Sequence, residues 1–153
     1  MSVLEFSVPP GPVVAQSFPN PAAGADFTIT TPDTLAQGMW SIVAIRARLV
    51  TSATVANRFV QFVVKDQTAD EVYRVGYDTA ITAGNTVILT FAPAVATITG
   101  GVTNVHALTF PMPAGPYPSR TAFSSVTLNI DTADQWSQLS VLYQRFSPNY
   151  FQE

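Results

Sequence analysis

The sequence predicts an all-β fold: an antiparallel β-sandwich with the eight strands of a jelly roll, preceded by an extended N-terminal arm. Three observations carry this. Apolar and polar residues alternate with period two through most of the chain after residue 25, and little repeats at 3.6. Threonine, valine, isoleucine, phenylalanine and tyrosine, the residues that suit a pleated half-buried surface, recur throughout. Turn signals arrive at roughly ten-residue intervals, a spacing that fits sandwiches and barrels rather than βαβ units. An immunoglobulin-like sandwich shares this spacing, but its Cys-Trp-Cys hallmark is missing because the chain has no cysteine.

The strands follow in order. Ala25 to Thr30 alternates as the first. Met39 to Thr51 is long, with Val43, Ile45, Ala47 and Leu49 on one face and Arg46 and Arg48 on the other. Asn57 to Lys65 is apolar on both faces, as a covered strand is. Glu71 to Tyr77 carries Tyr73, Val75 and Tyr77 on one side. Thr86 to Ala92 follows the turn signal Ala83-Gly84-Asn85. Val105 to Phe110 is shorter. Arg120 to Asp131 alternates Ala122, Ser124, Val126, Leu128 and Ile130 against Thr121, Ser125, Thr127 and Asn129. Gln135 to Phe146 closes the set with Leu139, Val141 and Tyr143 on one face. Two longer connections remain, Pro93 to Asn104 with Gly100-Gly101 and Pro111 to Ser119 with four prolines and Tyr117 at its tip. The second is stiff and apolar, the chemistry of a contact loop.

Three segments are expected: an arm over 1–24, a sandwich domain over 25–146 and an aromatic tail over 147–153. The first 26 residues hold five of the twelve prolines. Proline fixes φ and pushes its predecessor into extended geometry, so this segment is read as extended, not helical. Leu4, Phe6, Val8, Val13, Val14 and Phe18 are interleaved with the prolines, so the arm should lie on protein. It either pairs as a strand on its own domain's edge or clasps a neighbouring subunit, since 24 extended residues reach ~80 Å. Tyr150 and Phe151 make the tail a second candidate contact or a segment packed back on the core. The proline-broken start lacks the basic n-region and apolar h-region of a secretory signal, and no run approaches the ~20 apolar residues of a membrane helix. A soluble, unprocessed chain is the expectation.

The 153 residues suit one domain with a sizeable core. Charged residues make up only 11%, against a usual ~25%, and the net charge is −3. Six arginines and one lysine spread over the chain cannot assemble a basic groove, so nucleic acid is not expected as a partner. The absence of cysteine removes thiolate catalysis, disulfides and cysteine-ligated zinc.

Little else points to chemistry. His106 is the lone histidine, and no G-x-S-x-G elbow accompanies it. Asp66, Asp70 and Glu71 in one turn, and Asp131 with Asp134 in another, are the carboxylates that could pair for glycoside hydrolysis, and the first three could hold calcium, without the spaced pattern of a calcium loop. Turn chemistry is the leading reading of both groups, because Asp bonds nearby backbone in tight turns. There is no P-loop or dinucleotide fingerprint, and no cofactor is expected. The arginines fit interfaces, where Arg is enriched and Lys depleted. Arg46, Arg48 and Arg58 are interface candidates, Arg58 being able instead to bridge a loop acid within the fold. Tyr117 and Trp136 are interface candidates too. Trp40 and Trp136 either pack in the core or form a sugar-stacking platform.

The run Arg46-Ala-Arg-Leu-Val-Thr-Ser-Ala-Thr-Val-Ala-Asn-Arg58, leading into Phe-Val-Gln-Phe-Val-Val-Lys-Asp66, resembles a segment of small structural proteins of tailed bacteriophages, which share the pattern L-x-T-S-A-x-V-A-N-R. Ile81-Thr-Ala-Gly-Asn-Thr86, Phe91-Ala-Pro93 and Ala133-Asp-Gln-Trp136 extend the likeness over roughly 40–145. The resemblance implies a β-sandwich virion subunit without enzymatic activity, made in the host cytoplasm. Its partners would be copies of itself, with a trimer favoured, and the major capsid protein or another virion protein. A capsid decoration or cement protein is the leading expectation; a tail, baseplate or fibre component, or a receptor- or glycan-binding module, is the alternative.

Overall fold

A computed structural model describes residues 11–31, 39–76, 78–95, 99–102 and 105–146. Eleven strands run through them: β1 (Val13–Ser17), β2 (Thr28–Thr30), β3 (Met39–Val50), β4 (Phe59–Lys65), β5 (Glu71–Gly76), β6 (Thr86–Pro93), β7 (Thr99–Val102), β8 (Val105–Met112), β9 (Tyr117–Pro118), β10 (Ala122–Leu128) and β11 (Gln135–Phe146). They form two sheets, one ordered β1-β11-β3-β6-β8-β7 with β9 added beside β3, the other β2-β10-β4-β5. The fold is an all-β sandwich.

Four antiparallel pairs nest inside one another: β1 with β11, β2 with β10, β3 with β6, and β4 with β5. The remaining strands, β7, β8 and β9, lie between β6 and β10 in sequence. β7 and β8 form a hairpin that widens the larger sheet, and β8 runs parallel to β6. The sheet is therefore not purely antiparallel, and the strand count exceeds the expected eight by β1, β7 and β9.

Aromatic rings fill the space between the sheets. Phe62 of β4 stacks on Phe91 of β6 across the sandwich, with centroids 4.2 Å apart. Phe123 and Phe110 extend the stack on either side. Phe27 meets Trp136 edge-on at 5.1 Å, the offset the ring quadrupoles favour. Ile45, Ala47, Leu49, Val60 and Leu89 are fully buried around them.

Two bulges change which side chains face this core. On β3 the pairing steps from Leu142↔Ala44 to Tyr143↔Ile42, leaving Val43 unpaired. A bulge inserts one residue and inverts the alternation beyond it. Ile42 and Ile45 therefore both point inward, and Val43 is 40% exposed. The expectation that Val43 shares the inner face of Ile45 is corrected accordingly. On β11 a second register step lies between Ser137 and Ser140, with Gln138 at φ 52°, so Trp136 and Leu139 are both buried. On β10 Phe123, Ser125 and Thr127 face inward. The two hydroxyls are satisfied there by Asp26, which accepts from Ser125 Oγ at 2.8 Å and from Thr127 Oγ1 at 2.6 Å.

No helix among the described residues is long and apolar enough to cross a membrane.

Candidate interaction surface

The loops gather at two ends of the sandwich. At one end four of them, residues 18–27, 51–58, 78–85 and 129–134, are fastened into a single surface by short polar contacts. Thr51 does this between the second and third loops. Its amide donates to the Asn85 carbonyl at 2.9 Å, its hydroxyl donates to the Thr82 carbonyl at 2.8 Å, and the Asn85 amide returns a bond to that hydroxyl at 2.9 Å. The Gly84 amide donates to the Ser52 carbonyl at 2.9 Å, and Arg58 and Ile81 exchange backbone bonds. The first and fourth loops are joined by the Gly24 amide, which donates to the Asp134 carbonyl at 2.8 Å, and by Gln135 Nε2, which donates to the Pro21 carbonyl at 2.9 Å. Asn129 Nδ2 donates to the Asn57 carbonyl at 3.0 Å.

At the centre lie Arg58 and Asp134, both with no exposed surface. Arg58 Nε donates to Asp134 Oδ2 at 2.9 Å and Nη2 to Oδ1 at 3.0 Å, a two-point pairing that suits the planar guanidinium. The other donors reach Ser52 Oγ and the carbonyls of Thr54 and Ala56. Asp134 also accepts the amides of Ser52 at 2.7 Å and Asp131 at 2.9 Å. Burial pushes the Asp134 carboxyl up, but the Arg58 guanidinium and these two amides outweigh it and hold the group below the usual carboxylate range.

The guanidinium thus shapes the loop that wraps it. Between the carbonyls of Thr54 and Ala56 the chain turns outward, and Val55 at its apex is 94% exposed. Most exposed positions of these four loops are small or uncharged, among them Ala22, Ala23, Ala53, Asn57, Thr82 and Ala133, and exposed Asp78 is the exception.

The structure sorts the interface candidates. Arg58, Trp136 and Tyr117 are buried within the domain. Arg58 makes its bridge inside the fold because Asp134 is brought beside it. Trp136 is taken into the core against Phe27. Tyr117 is drawn in by β9 pairing with β3 opposite Trp40, with its hydroxyl bonded to the Pro113 carbonyl and its ring edge-on to Phe123; burial, then the neighbouring Tyr73, pushes its phenol up to about 12. Trp40 is buried against Tyr143, with the Arg145 guanidinium 5.7 Å from its ring centroid. Neither tryptophan forms an open sugar platform.

Arg46 and Arg48 remain on the outer face of the larger sheet, Arg46 exposed and Arg48 half-buried. Val13 and Val14 lie on β1, which pairs with β11 of the same domain; they are 53% and 41% exposed. Phe18 packs against the core. Val13–Ser17 is thus an edge strand of its own sandwich, as in the first of the two readings of the arm. Leu4, Phe6, Val8, Tyr150 and Phe151 lie outside the described residues.

The carboxylate clusters serve turns. Asp66 Oδ1 accepts from the Thr68 hydroxyl and the amides of Thr68 and Asp70, and these bonds, the hydroxyl first, hold its carboxyl below the usual range. Glu71 pairs with Arg74 at 2.5 Å, which holds its carboxyl low as well. Among the described residues no group of three acidic, histidine or cysteine side chains could hold a metal ion. His106 sits on β8 opposite Val87.

No protein-family model, curated protein or solved structure matches the chain.

Proposed function

We propose that this chain is a non-enzymatic structural subunit of a bacteriophage virion, a decoration or cement protein that strengthens a capsid by subunit contacts. The observation that carries the reading is the nested pairing of β1–β11, β2–β10, β3–β6 and β4–β5. It supports an eight-stranded jelly roll with the β7–β8 hairpin and β9 inserted between β6 and β10, and jelly rolls recur in viral capsid and lectin domains. The likeness of residues 46–66 to phage structural proteins points the same way. The loop end supports it further. Most of its polar groups hold the backbone, and around one apolar tip it offers small side chains together with the carboxylates of Asp78 and Asp131, a surface suited to protein contact rather than to a reaction.

A lectin role would call for an open aromatic beside polar side chains, and Tyr117 and Trp136 are both buried. The capsid reading is therefore preferred to the glycan-binding one. Tail or fibre placement is the other outcome of the test.

The test is co-sedimentation. Capsids assembled without this chain, from the genome that encodes it, are mixed with the purified protein and pelleted. Saturable recovery with the shells at a fixed ratio is expected. Recovery only in the supernatant, or labelling confined to tails in electron micrographs, overturns the decoration role.

A further inference from the structure

Among the described residues, two surfaces away from the β4–β5 hairpin carry charge of opposite sign. The seven strands of the larger sheet contain no Asp or Glu, and the outer face carries Arg46 and Arg48. Among the described residues neither arginine has an ion pair or side-chain hydrogen bond. Their cross-strand neighbours are Ser140 and Thr90 for Arg46, and Ser137 and Ile88 for Arg48, all uncharged. The four-loop end is the reverse. Its one cation, Arg58, is neutralised by Asp134, which leaves Asp26, Asp78 and Asp131. Asp26 keeps its charge but is turned to the Ser125 and Thr127 hydroxyls, so exposed Asp78 and half-buried Asp131 are the carboxylates free to meet a cation.

We propose that the four-loop end of one copy docks on the outer face of the larger sheet of a second copy, Asp78 and Asp131 facing Arg46 and Arg48. The proposal deepens the structural-subunit reading and rests on it. Charge complementarity selects the occupant and the orientation. A twofold contact between two sheet faces would set arginine against arginine, and one between two loop ends would set carboxylate against carboxylate; like charges brought together weaken association. An end-to-face contact is heterologous, and such contacts close into rings when the rotation permits. Val55 supplies the apolar anchor. Its backbone is already held by Arg58, so docking it costs little ordering entropy. On the receiving face, Leu142 and Val43, 41% and 40% exposed, lie beside Arg46 and offer apolar surface.

Sedimentation velocity of the full chain tests this across a concentration series at low and high salt. The wild type is expected to form one closed oligomer that loosens as salt screens the contact. R46E/R48E on the face and D78R/D131N on the end, the Asn keeping the acceptor that binds the Ala133 amide, should each weaken association about tenfold or more. The four changes in one chain should restore it. V55R, at a side chain with almost no contacts to lose, removes the apolar anchor and sets a further cation against Arg46 and Arg48; it should dissociate the oligomer, and at a concentration where the wild type is also dissociated the two should melt alike. A wild type that is monomeric throughout, an oligomer indifferent to these changes, or folded single sets that fail to restore each other when combined would overturn the contact. Capsid co-sedimentation retained in any of those cases would leave the subunit reading intact.

Discussion

Arg58 and Asp134 exhaust each other's hydrogen-bonding capacity. All five N–H donors of the guanidinium and all four acceptor sites of the carboxylate are used, by each other or by groups of residues 52–56 and Asp131. A buried pair is a poor source of stability when charges are left partly bare, because desolvation cancels the attraction. Here nothing is left bare, and the pair acts chiefly to fix the loops around it.

Removing one partner should therefore be costly. Arg58→Met strands a buried carboxylate and frees the carbonyls of Thr54 and Ala56. A loss of about 3–5 kcal/mol is expected from urea unfolding. Combining it with Asp134→Leu should recover part of that loss, yet leave the 51–58 loop more open to proteolysis at Val55. A single change that costs under about 1 kcal/mol would contradict the role given to the pair.

The pH dependence follows from the same carboxylate. Asp134 has a folded pKa below its unfolded one, so its contribution is fully present above the unfolded value, ~3.9, and is lost as pH falls through the folded value. Asp66 and Glu71, also depressed, act in the same direction. Stability should be flat near neutrality and fall below about pH 4. In Asp134→Asn the slope of that acid limb should be shallower. Equal slopes would assign the acid loss to other groups.

Two glycines at the same loop end should respond differently to alanine. Both have φ of +72°, which L-residues adopt at a cost of roughly 1–2 kcal/mol. A Cβ on Gly84 meets nothing within 4 Å, so Gly84→Ala should cost only that. A Cβ on Gly24 would stand 2.7 Å from the Thr132 Cα, backbone that cannot yield without disturbing the Gly24–Asp134 bond. Gly24→Ala should lower the unfolding midpoint clearly more than Gly84→Ala. Equal midpoints would mean the first and fourth loops are not tightly joined.

Much of this fold was legible because burial on one face writes period two into a strand. Gln135 to Phe146 was bounded correctly at both ends, and the long strand from Met39 ended within one residue of its true limit. The strands that escaped notice have no such imprint. All five residues of β1 are exposed, so no face is selected; β7 contains Gly100-Gly101; β9 is two residues in a proline-rich loop. The bulge at Val43 is equally silent, since it depends on how β11 lies beside β3. The site was only half visible. A loop acid for Arg58 could be anticipated, but choosing Asp134 required the β10–β11 turn to be set against the β3–β4 loop, a relation 76 residues apart. An aromatic in an apolar loop reads as a contact tip, whereas Tyr117 is buried opposite Trp40, a pairing that only the tertiary fold sets.

The edge strand β1 changes what truncation should do. A chain beginning at Gly24 loses Val13–Ser17 and leaves the whole of β11 without a neighbour on that side, a long edge open to pairing with other chains. It also removes Phe18 from the core's margin. Such a chain should melt earlier and aggregate on warming. A chain beginning at Gly11 keeps β1 and the Gly11–Arg145 backbone bond at 3.2 Å, and should unfold like the full protein. If that shorter cut leaves stability unchanged but abolishes co-sedimentation with capsids, residues 1–10 hold the attachment. If attachment survives it and fails only with V55R or R46E/R48E, binding to the shell depends on the oligomer instead.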